Sequence, residues 1–437
     1  MIVPTKRAVT LFAAAAPVAL LGYVTPLALD WLALFDAGLL LLLILDARRA
    51  VPLSGLSLER EAPESFSIGR ESECTYRWSN HAHRAARLLV RETRPQLIGG
   101  VLPARDVIVP PLGTRRDTQR VTGVRRGREV GGWLAVRSLG PLGLASVQGR
   151  IELPWSVTVY PSLPAARLKA SVAEAVRRRE SGFATLRRPG EGSQFESLRE
   201  WVPGDDTRHI DWKATARRRK VIARQYEEER RQQVLLVLDA GRLLTAEVRG
   251  EARMEHVVRA ALWLAFAANY HDDNVGIMVF SDSIEHYTAP QRGRRGLRQV
   301  LDALAVVQPK LVESDYPAAF RYLAVRNRKR ALTVLFTDVI DRMASEAMVS
   351  HVASLRPRHL PLVVTLRNPD LDSVAALRPL AVGGAYRKAA AEELLMARGE
   401  ALAGMRRSGA VVLDVPPERA SRAVVEQYLE LKRRGRL

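Results

Sequence analysis

The chain has 437 residues, of which 47% are hydrophobic, and this is enough apolar material for two or three folded domains. Its single cysteine, Cys74, excludes an intramolecular disulfide and favours a reducing location for the folded mass. The formal net charge of +20 is spread along the chain without the interleaved aromatic residues that stack on bases, so no nucleic-acid partner is expected.

Two apolar stretches open the chain, from Ala8 to about Val24 and from Leu27 to about Leu45. Each is close to the roughly 20 residues that span a bilayer as a helix. Basic residues precede the first stretch and follow the second, which places both ends in the cytoplasm by the positive-inside rule. The pattern predicts a transmembrane helical hairpin over residues 1–50. It also predicts a multi-pass location in the inner (cytoplasmic) membrane, with the soluble domains facing the cytoplasm.

Two alternatives compete with the membrane hairpin. The first stretch is also compatible with a cleaved signal peptide, although the apolar stretch that follows it would then act as a stop-transfer segment. The pair is also compatible with a buried helical hairpin of a soluble domain. Asp30 and Asp36 are unfavourable in lipid, and Asp36, in the middle of the second span, would require a partner there.

Short alternating runs of apolar and polar residues follow from Leu56 to Tyr160, with turn residues between them. This pattern is typical of an antiparallel β-sandwich, which we place at residues 55–163. No cluster of histidine, cysteine or paired carboxylates appears there, so the predicted role is structural. An Arg-rich segment, residues 164–232, then links this domain to the next.

From residue 233 to 437, fully apolar runs alternate with amphipathic segments of helical length. This alternation predicts a doubly wound α/β domain in which helices cover both faces of a parallel sheet. Ligands of such sheets bind at the carboxyl ends of the strands.

Polar residues lie at those predicted strand ends. Asp239 ends the first strand, Thr337 and Asp338 end a later one, and Ser314 and Asp315 open a helix between them. This order resembles a von Willebrand factor A domain, and the resemblance implies a metal-ion-dependent adhesion site. Asp239, Ser314 and Asp338 are its candidate ligands for a hard cation such as Mg²⁺.

The adhesion motif is incomplete in this chain. The strand end reads Asp239-Ala240-Gly241-Arg242-Leu243, so glycine and leucine replace the two expected serines. The other interpretation is that Asp239 and Asp338 cap neighbouring helices or pair with Arg242. We favour this structural interpretation, and no cofactor is predicted with certainty.

The most distinctive segment runs from Gly190 to Glu229 and combines two tryptophans, a Pro-Gly turn, three aspartates and many arginines. It closely resembles the signature of the bacterial domain of unknown function 58 family. The residues that carry the resemblance are Phe195, Leu198, Arg199, Pro203, Gly204, Asp205, Asp206, Arg208, Ile210, Asp211, Trp212, Lys213, Ala216 and Arg217.

The chemistry of the signature predicts a folded, hydrogen-bonded element. Its aspartates can accept hydrogen bonds from its basic residues, while Trp201 and Trp212 would fill apolar clefts. The segment then either pins the sandwich to the α/β domain or offers a charged surface to a partner.

The sequence lacks the main enzyme motifs, including a phosphate-binding GxxxxGK[ST] loop, a G-x-S-x-G elbow and an H-E-x-x-H pair. We therefore predict no enzyme. The family resemblance implies a membrane-anchored, non-catalytic scaffold or adaptor that works with a MoxR-type AAA+ ATPase. The strand-end loops of the von Willebrand factor A-like domain would then bind either the ATPase or a client envelope protein. The alternative is a metal-dependent hydrolase that uses Asp239, Asp338 and His209.

Overall fold

The chain divides into two compact units, residues 1–162 and 163–437. The structure is a computed structural model, and it describes residues 1–15, 17, 26–162, 194–202, 207, 210–218, 220–227, 231–339, 342–356, 358–379 and 381–437.

Two β-sheets enclose one apolar core in the N-terminal unit. The six-stranded sheet has the order β1-β9-β8-β5-β6, with β3 also paired to β9, and the three-stranded sheet has the order β2-β4-β7. All pairs are antiparallel except β3 with β9. The strands are β1 Ile2–Pro4, β2 Leu56–Glu61, β3 Ser65–Ser67, β4 Glu71–Asn80, β5 Ala86–Thr93, β6 Arg105–Val109, β7 Thr114–Thr122, β8 Gly127–Leu139 and β9 Ala145–Tyr160.

Alternation along the strands builds this core. On β4, every second side chain points inward, so that Cys74, Tyr76 and Trp78 are buried while their neighbours face outward. The opposite sheet contributes alternate residues such as Leu88 on β5 and Val136 on β8. The period of two places one apolar face of each sheet against the other.

One carboxylate is fully buried between the sheets. Glu92 accepts hydrogen bonds from Arg60 at 2.9 Å, from Arg94 at 2.9 Å and from the Tyr76 hydroxyl at 2.8 Å. The guanidinium of Arg60 also stacks on the ring of Trp155, with 4.5 Å between the guanidinium carbon and the ring centroid. The sandwich thus contains a compact charged cluster within its apolar core.

Two helices are described between β1 and β2 in sequence, α1 (Lys6–Ala14) and α2 (Pro26–Arg49). Asp46, near the end of α2, is buried and accepts hydrogen bonds from the backbone N–H groups of Leu142 at 2.7 Å, Leu144 at 2.7 Å and Ala145 at 2.9 Å. A Cβ atom at Gly140 would overlap this carboxyl group, so glycine there permits the close approach. The helix end is therefore fastened to the turn before β9.

The predicted transmembrane hairpin is wrong. Among the residues that the structure describes, no helix is both long enough and apolar enough to cross a membrane. The predicted first span is described only in part, because residues 16 and 18–24 lie outside those residues. The second corresponds to α2, which carries Asp30, Asp36 and Asp46, and Asp46 is used to bind the sandwich. Three predictions that depended on the hairpin are therefore also wrong: the transmembrane part of the fold class, the inner-membrane location and the membrane anchoring.

Replacing Asp46 by alanine is expected to lower the free energy of unfolding by about 2 kcal/mol, because three backbone N–H groups would lose a charged acceptor. Chemical denaturation monitored by tryptophan fluorescence measures this change. Asp30→Ala is the matched control on the same helix, since Asp30 is exposed, and should change stability by less than about 0.5 kcal/mol. Equal effects of the two substitutions would contradict the anchoring role of Asp46.

The first described elements of the second unit are the strands β10 (Gln194–Glu200) and β11 (Ile222–Glu227), which pair as an antiparallel hairpin. The short helix α3 (Trp212–Arg218) lies between them in sequence. Backbone hydrogen bonds fasten α3 to the hairpin. The N–H of Asp211 donates to Ile222 O at 2.8 Å, and the N–H of Ile222 donates to the Thr215 hydroxyl at 3.0 Å.

A six-stranded sheet with helices on both faces forms the rest of this unit, in the order β16-β15-β12-β17-β18-β19. All neighbours are parallel except the edge pair β15 and β16. The strands are β12 Gln233–Asp239, β13 Glu247–Val248, β14 Glu251–Ala252, β15 Asn274–Phe280, β16 Ile284–Gln291, β17 Leu332–Phe336, β18 Leu360–Leu366 and β19 Val411–Val415, of which β13 and β14 form a separate hairpin. The helices are α4 Arg253–Tyr270, α5 Gly293–Val306, α6 Tyr316–Arg326, α7 Arg342–Ser354, α8 Pro369–Ala376, α9 Val382–Arg407 and α10 Pro417–Arg433.

The central strand β12 is buried on both faces, as expected for a parallel sheet covered by helices. Leu236 and Leu238 pack in one core with α4, α5 and α10, whereas Leu235 and Val237 pack in the other with α6, α7 and α9. Sequence reasoning missed the antiparallel edge strand β16 and the helix α8. The strand β16 has a mixed pattern of half-buried and exposed residues, and α8 has only eight residues, none of them buried.

Candidate functional site

The topology of the sheet defines one crevice at its carboxyl edge. From β12 the chain passes first to β15 on one side and later to β17 on the other, so the direction of winding reverses between β12 and β17. In doubly wound sheets this switch point is where ligands bind. Asp239 is the last residue of β12, and Thr337 and Asp338 directly follow β17.

Asp239 is buried and accepts four hydrogen bonds. Its Oδ1 accepts from the Ser314 hydroxyl and from the N–H of Gly241 at 2.9 Å. Its Oδ2 accepts from the Tyr316 hydroxyl and from the Thr337 hydroxyl at 2.7 Å. Both carboxylate oxygens are thus engaged by groups of the chain itself.

Gly241 explains how Ser314 closes over this carboxylate. A Cβ atom at position 241 would overlap Ser314 Oγ. The glycine that replaces the first serine of the adhesion motif therefore leaves the space that the Ser314 hydroxyl occupies.

The phenol of Tyr316 is kept neutral at this site. Burial, followed by the negative charge of Asp239 and the hydrogen bond to it, raises the pKa of Tyr316 well above its ordinary value. A protonated phenol is a hydrogen-bond donor, so Tyr316 can donate a hydrogen bond to Asp239 throughout the physiological pH range.

Tyr316→Phe is expected to lower the free energy of unfolding by about 1.5 kcal/mol at pH 7, because Asp239 and Thr337 both lose a buried partner. The raised pKa makes this stabilisation complete below about pH 10 and lost at higher pH, so the variant should also show a shallower alkaline decline. Urea denaturation at pH 7 and at higher pH measures both effects. Tyr386→Phe, at an exposed tyrosine, is the control, and equal losses in the two variants would contradict the assignment.

Asp338 faces a different set of groups. Its Oδ1 accepts from Arg398 Nη1 at 2.5 Å and from the N–H of Val339 at 2.8 Å, and its Oδ2 pairs with Arg253 Nη1. Its side chain is fully buried, and the side chains of Arg253 and Arg398 are 5% and 10% exposed. Two guanidinium ions thus surround one carboxylate inside the protein.

Arg398 also reaches the neighbouring strand ends. Its Nη2 donates to Asp414 Oδ1 at 2.8 Å and to Leu366 O at 3.1 Å, and its Nη1 donates to Val339 O at 2.7 Å. Burial would raise the pKa of Asp414, but the charge and hydrogen bond of Arg398 outweigh it and hold that pKa below its usual value. Burial, followed by the charge of Arg398, lowers the pKa of Arg253 to about 10, so its guanidinium remains charged at pH 7.

The structure brings some predicted site residues together and separates others. Asp239 and Ser314 are in direct contact, whereas Asp338 turns toward Arg253 and Arg398. Arg242, the expected partner of the two aspartates, pairs with Glu313. Sequence reasoning missed Tyr316, Arg253 and Arg398. Only Arg253 left a local signal, because a basic first residue is unfavourable at a helix N-terminus.

The donor set does not fit a resident divalent cation. Such an ion prefers several carboxylate or carbonyl oxygens that are free to turn toward it. At this edge Asp239 accepts four hydrogen bonds and Asp338 pairs with two guanidiniums. Within the described ranges, no three or more His, Cys, Asp or Glu side chains are grouped as metal ligands.

The signature segment is described only in part. Pro203, Gly204, Asp205, Asp206, Arg208 and the alternative catalytic residue His209 lie outside the described residues. Asp211 caps α3, accepting from the N–H of Ala214 at 2.9 Å. Arg199 lies on β10 and Lys213 on α3. Arg199 Nη1 donates a hydrogen bond to Glu200 O at 3.1 Å.

Trp212 does not fill an apolar cleft as expected. Its side chain is 71% exposed, whereas Trp201 is half-buried. Two exposed valines, Val202 and Val221, lie near each other at one end of the hairpin. Trp201, which precedes Val202, donates its backbone N–H to the carbonyl oxygen of Val221 at 2.9 Å. Asp211, which precedes Trp212, donates its backbone N–H to the carbonyl oxygen of Ile222, which follows Val221, so the backbone at Trp212 lies near this end of the hairpin. We call the exposed residues Trp212, Val202 and Val221 the Trp212 patch.

Residues 197–384 match the family described as Protein of unknown function DUF58. The matched segment contains most of the hairpin, all of α3 and the carboxyl edge of the sheet up to β18. Uncharacterized proteins of Mycobacterium bovis and Mycobacterium tuberculosis are 25% identical over 262 residues, which covers 57% of this chain and 82% of each relative. None of these names states a function.

Two solved structures resemble parts of the fold at low similarity. The CARDB domain of a Pyrococcus furiosus protein, solved in complex with di-metal ions, is 16% identical with a TM-score of 0.18, over 24% of this chain and 86% of that domain. Escherichia coli alpha-2-macroglobulin is 20% identical with a TM-score of 0.19, over 25% of this chain and 7% of that protein. The resemblance to a von Willebrand factor A domain is not confirmed by these comparisons.

Proposed function

We propose that this protein is a non-catalytic scaffold or adaptor that binds other proteins. The observation that carries the proposal is the engagement of Asp239 at the switch point by four internal donors. A general base or nucleophile needs a free lone pair within reach of substrate. The position where a doubly wound sheet would act on a ligand is instead occupied by a closed hydrogen-bond shell.

The alternative, a metal-dependent hydrolase, has less support. Asp338 is paired with Arg253 and Arg398, and the donor set does not fit a divalent cation. His209, the third residue of that alternative, lies outside the described residues.

The partner that we propose is a MoxR-type AAA+ ATPase, with client envelope proteins as further candidates. The basis is the family resemblance, together with the absence of a phosphate-binding loop in this sequence. Under this proposal the ATPase supplies the ATP-driven work, and this chain supplies a binding surface.

The Trp212 patch is the contact surface that we propose. Exposed tryptophan is uncommon on a folded surface and is enriched among residues that dominate binding energy at interfaces. The hydrogen bonds of Asp211, Ile222 and Thr215 hold the backbone beside Trp212, which reduces the entropy lost on binding. Lys213 and Arg217 are exposed on the same helix, so the patch suits an acidic partner surface with an apolar pocket.

Binding of the full chain to a MoxR-type ATPase from the same genome, measured by interferometry with ATP or ADP and Mg²⁺, tests the proposal. We expect nucleotide-dependent binding that Trp212→Ala weakens by at least about tenfold. Tyr386→Ala is the matched control, because Tyr386 is 74% exposed and lies outside the patch.

Failure of the unaltered chain to bind in either nucleotide state would contradict the ATPase partner. Equal weakening by Trp212→Ala and Tyr386→Ala would contradict the patch while leaving the partner supported. Turnover of ester or phosphoester substrates with Mn²⁺ that disappears in Asp239→Asn would contradict the non-catalytic role.

A further inference from the structure

The strand ends around Asp338 carry charges that balance without a metal. Asp338 and Asp414 are two carboxylates, and Arg253 and Arg398 are two guanidiniums that lie against them. Asp239, the other fully buried carboxylate of this edge beside Asp338, accepts hydrogen bonds from neutral hydroxyl and backbone donors. Buried charges require pairing or hydrogen bonds, and each of these acids has one or both.

We propose that Arg253 and Arg398 take the place of a divalent cation at the switch point, so that this centre is assembled and held by guanidinium ions in the absence of metal. The proposal is independent of the ATPase partner and of the Trp212 patch, because it concerns how the strand ends are held together.

The two arginines come from opposite helix layers. Arg253 is the first residue of α4, which packs in one core, and Arg398 lies on α9, which packs in the other. Both reach the carboxylate of Asp338 at the end of β17. A bound cation cross-links loops from several strand ends, and in this protein the guanidinium pair cross-links two helices and three strand ends.

Arg398 is suited to this role by its fork geometry. It donates to Asp338, Asp414, Val339 O and Leu366 O, which lie at the ends of β17, β18 and β19. Lysine offers one compact charge and cannot address such separated acceptors with fixed geometry. A cation entering the same space would meet two positive charges in a water-poor interior, where charge repulsion is screened weakly.

The decisive experiment is a titration of the full chain with Mn²⁺. Binding is monitored through the decrease of the electron paramagnetic resonance signal of free Mn²⁺. The unaltered chain is expected to bind no Mn²⁺ at this centre and to show the same unfolding midpoint with Mn²⁺ or with EDTA. The double variant Arg253→Met with Arg398→Met exposes Asp338 and Asp414 to solvent ions. It is expected to bind Mn²⁺, which the unaltered chain does not bind at this centre, and to have a higher unfolding midpoint with Mn²⁺ than with EDTA.

Arg367→Met is the matched control. Arg367 lies near Asp414 at 3.5 Å but is 50% exposed, so its removal changes the net charge of the same edge without opening the centre. Mn²⁺ binding in this control equal to that in the double variant would overturn the proposal. So would stoichiometric Mn²⁺ binding to the unaltered chain that EDTA reverses with a fall in the unfolding midpoint.

A further variant keeps the test decisive if the double variant does not fold. Arg398→Met combined with Asp414→Asn removes one charge of each sign and leaves the buried pair of Arg253 with Asp338 in place. This variant is expected to recover at least about half of the fall in unfolding midpoint that Arg398→Met causes alone. A compensated variant as unstable as Arg398→Met alone would show that charge balance is not what Arg398 contributes, and would overturn the proposal.

Discussion

Glu92→Ala is expected to lower the free energy of unfolding of the N-terminal unit by about 4 kcal/mol. Glu92 is fully buried, and both of its carboxylate oxygens accept hydrogen bonds, one from Arg60 and Tyr76, the other from Arg94 and Tyr76. Removing it would leave two guanidinium ions beside each other in the core without a counter-charge. Removing one partner of a buried ionic group is much more costly than removing the whole group.

Chemical denaturation followed by tryptophan fluorescence measures this loss. Glu61→Ala is the matched control, because Glu61 is 55% exposed and pairs with Arg77 at the surface. The control should change stability by less than about 1 kcal/mol. A loss in Glu92→Ala no greater than in Glu61→Ala would contradict the charged cluster as a source of stability.

The same cluster has a consequence at alkaline pH. Burial, followed by the charge of Glu92, raises the pKa of Tyr76 to about 12. Because the folded pKa lies above the unfolded value of about 10, the stability that Tyr76 contributes is complete below pH 10 and is lost as the pH rises toward 12. Tyr76→Phe should remove that part of the alkaline decline.

Asp239→Asn is expected to lower the free energy of unfolding of the second unit by about 3 kcal/mol. The four groups around Asp239 are hydrogen-bond donors: the hydroxyls of Ser314, Tyr316 and Thr337 and the N–H of Gly241. The side-chain amide of asparagine has one acceptor oxygen, and its nitrogen is a hydrogen-bond donor. Whichever way the amide is turned, at least one of the four donors would lie against the amide nitrogen and lose its acceptor.

Thermal and urea unfolding of the full chain measure this effect. Asp372→Asn is the control, since Asp372 is exposed on α8, and should change stability by less than about 0.5 kcal/mol. A stable Asp239→Asn variant would mean that the four donors are satisfied elsewhere. It would remove the observation on which the non-catalytic proposal rests.

Much of the α/β unit follows from local patterns. Fully apolar runs such as those of β12, β17 and β18 predict buried parallel strands, and their polar ends predict where Asp239 and Thr337 lie. These features depend on residues close together in the chain. The edge strand β16 did not follow, because it is paired on one side only and has a mixed pattern of burial.

The candidate site was predictable only in part. The order Asp239, Ser314, Thr337 and Asp338 indicated one shared edge, and Asp239 does contact the hydroxyl groups of Ser314 and Thr337. The partners of Asp338 could not be found in the same way. Arg398 lies 60 residues further along the chain, inside a long helix whose pattern does not distinguish it from other arginines.

The sequence by itself determined the buried parallel strands, most of the helices around them and the polar ends of the sheet, since hydrophobic period and strand length are local properties. Only the tertiary structure decided what the acidic residues do. The apolar segment that contains α2 fits the pattern of a membrane span, but Asp46 binds a turn almost a hundred residues away. Asp338 fits the pattern of a metal ligand, but it binds two arginines from opposite helix layers. A carboxylate takes whichever donor the fold places beside it, and that neighbour is set by long-range packing.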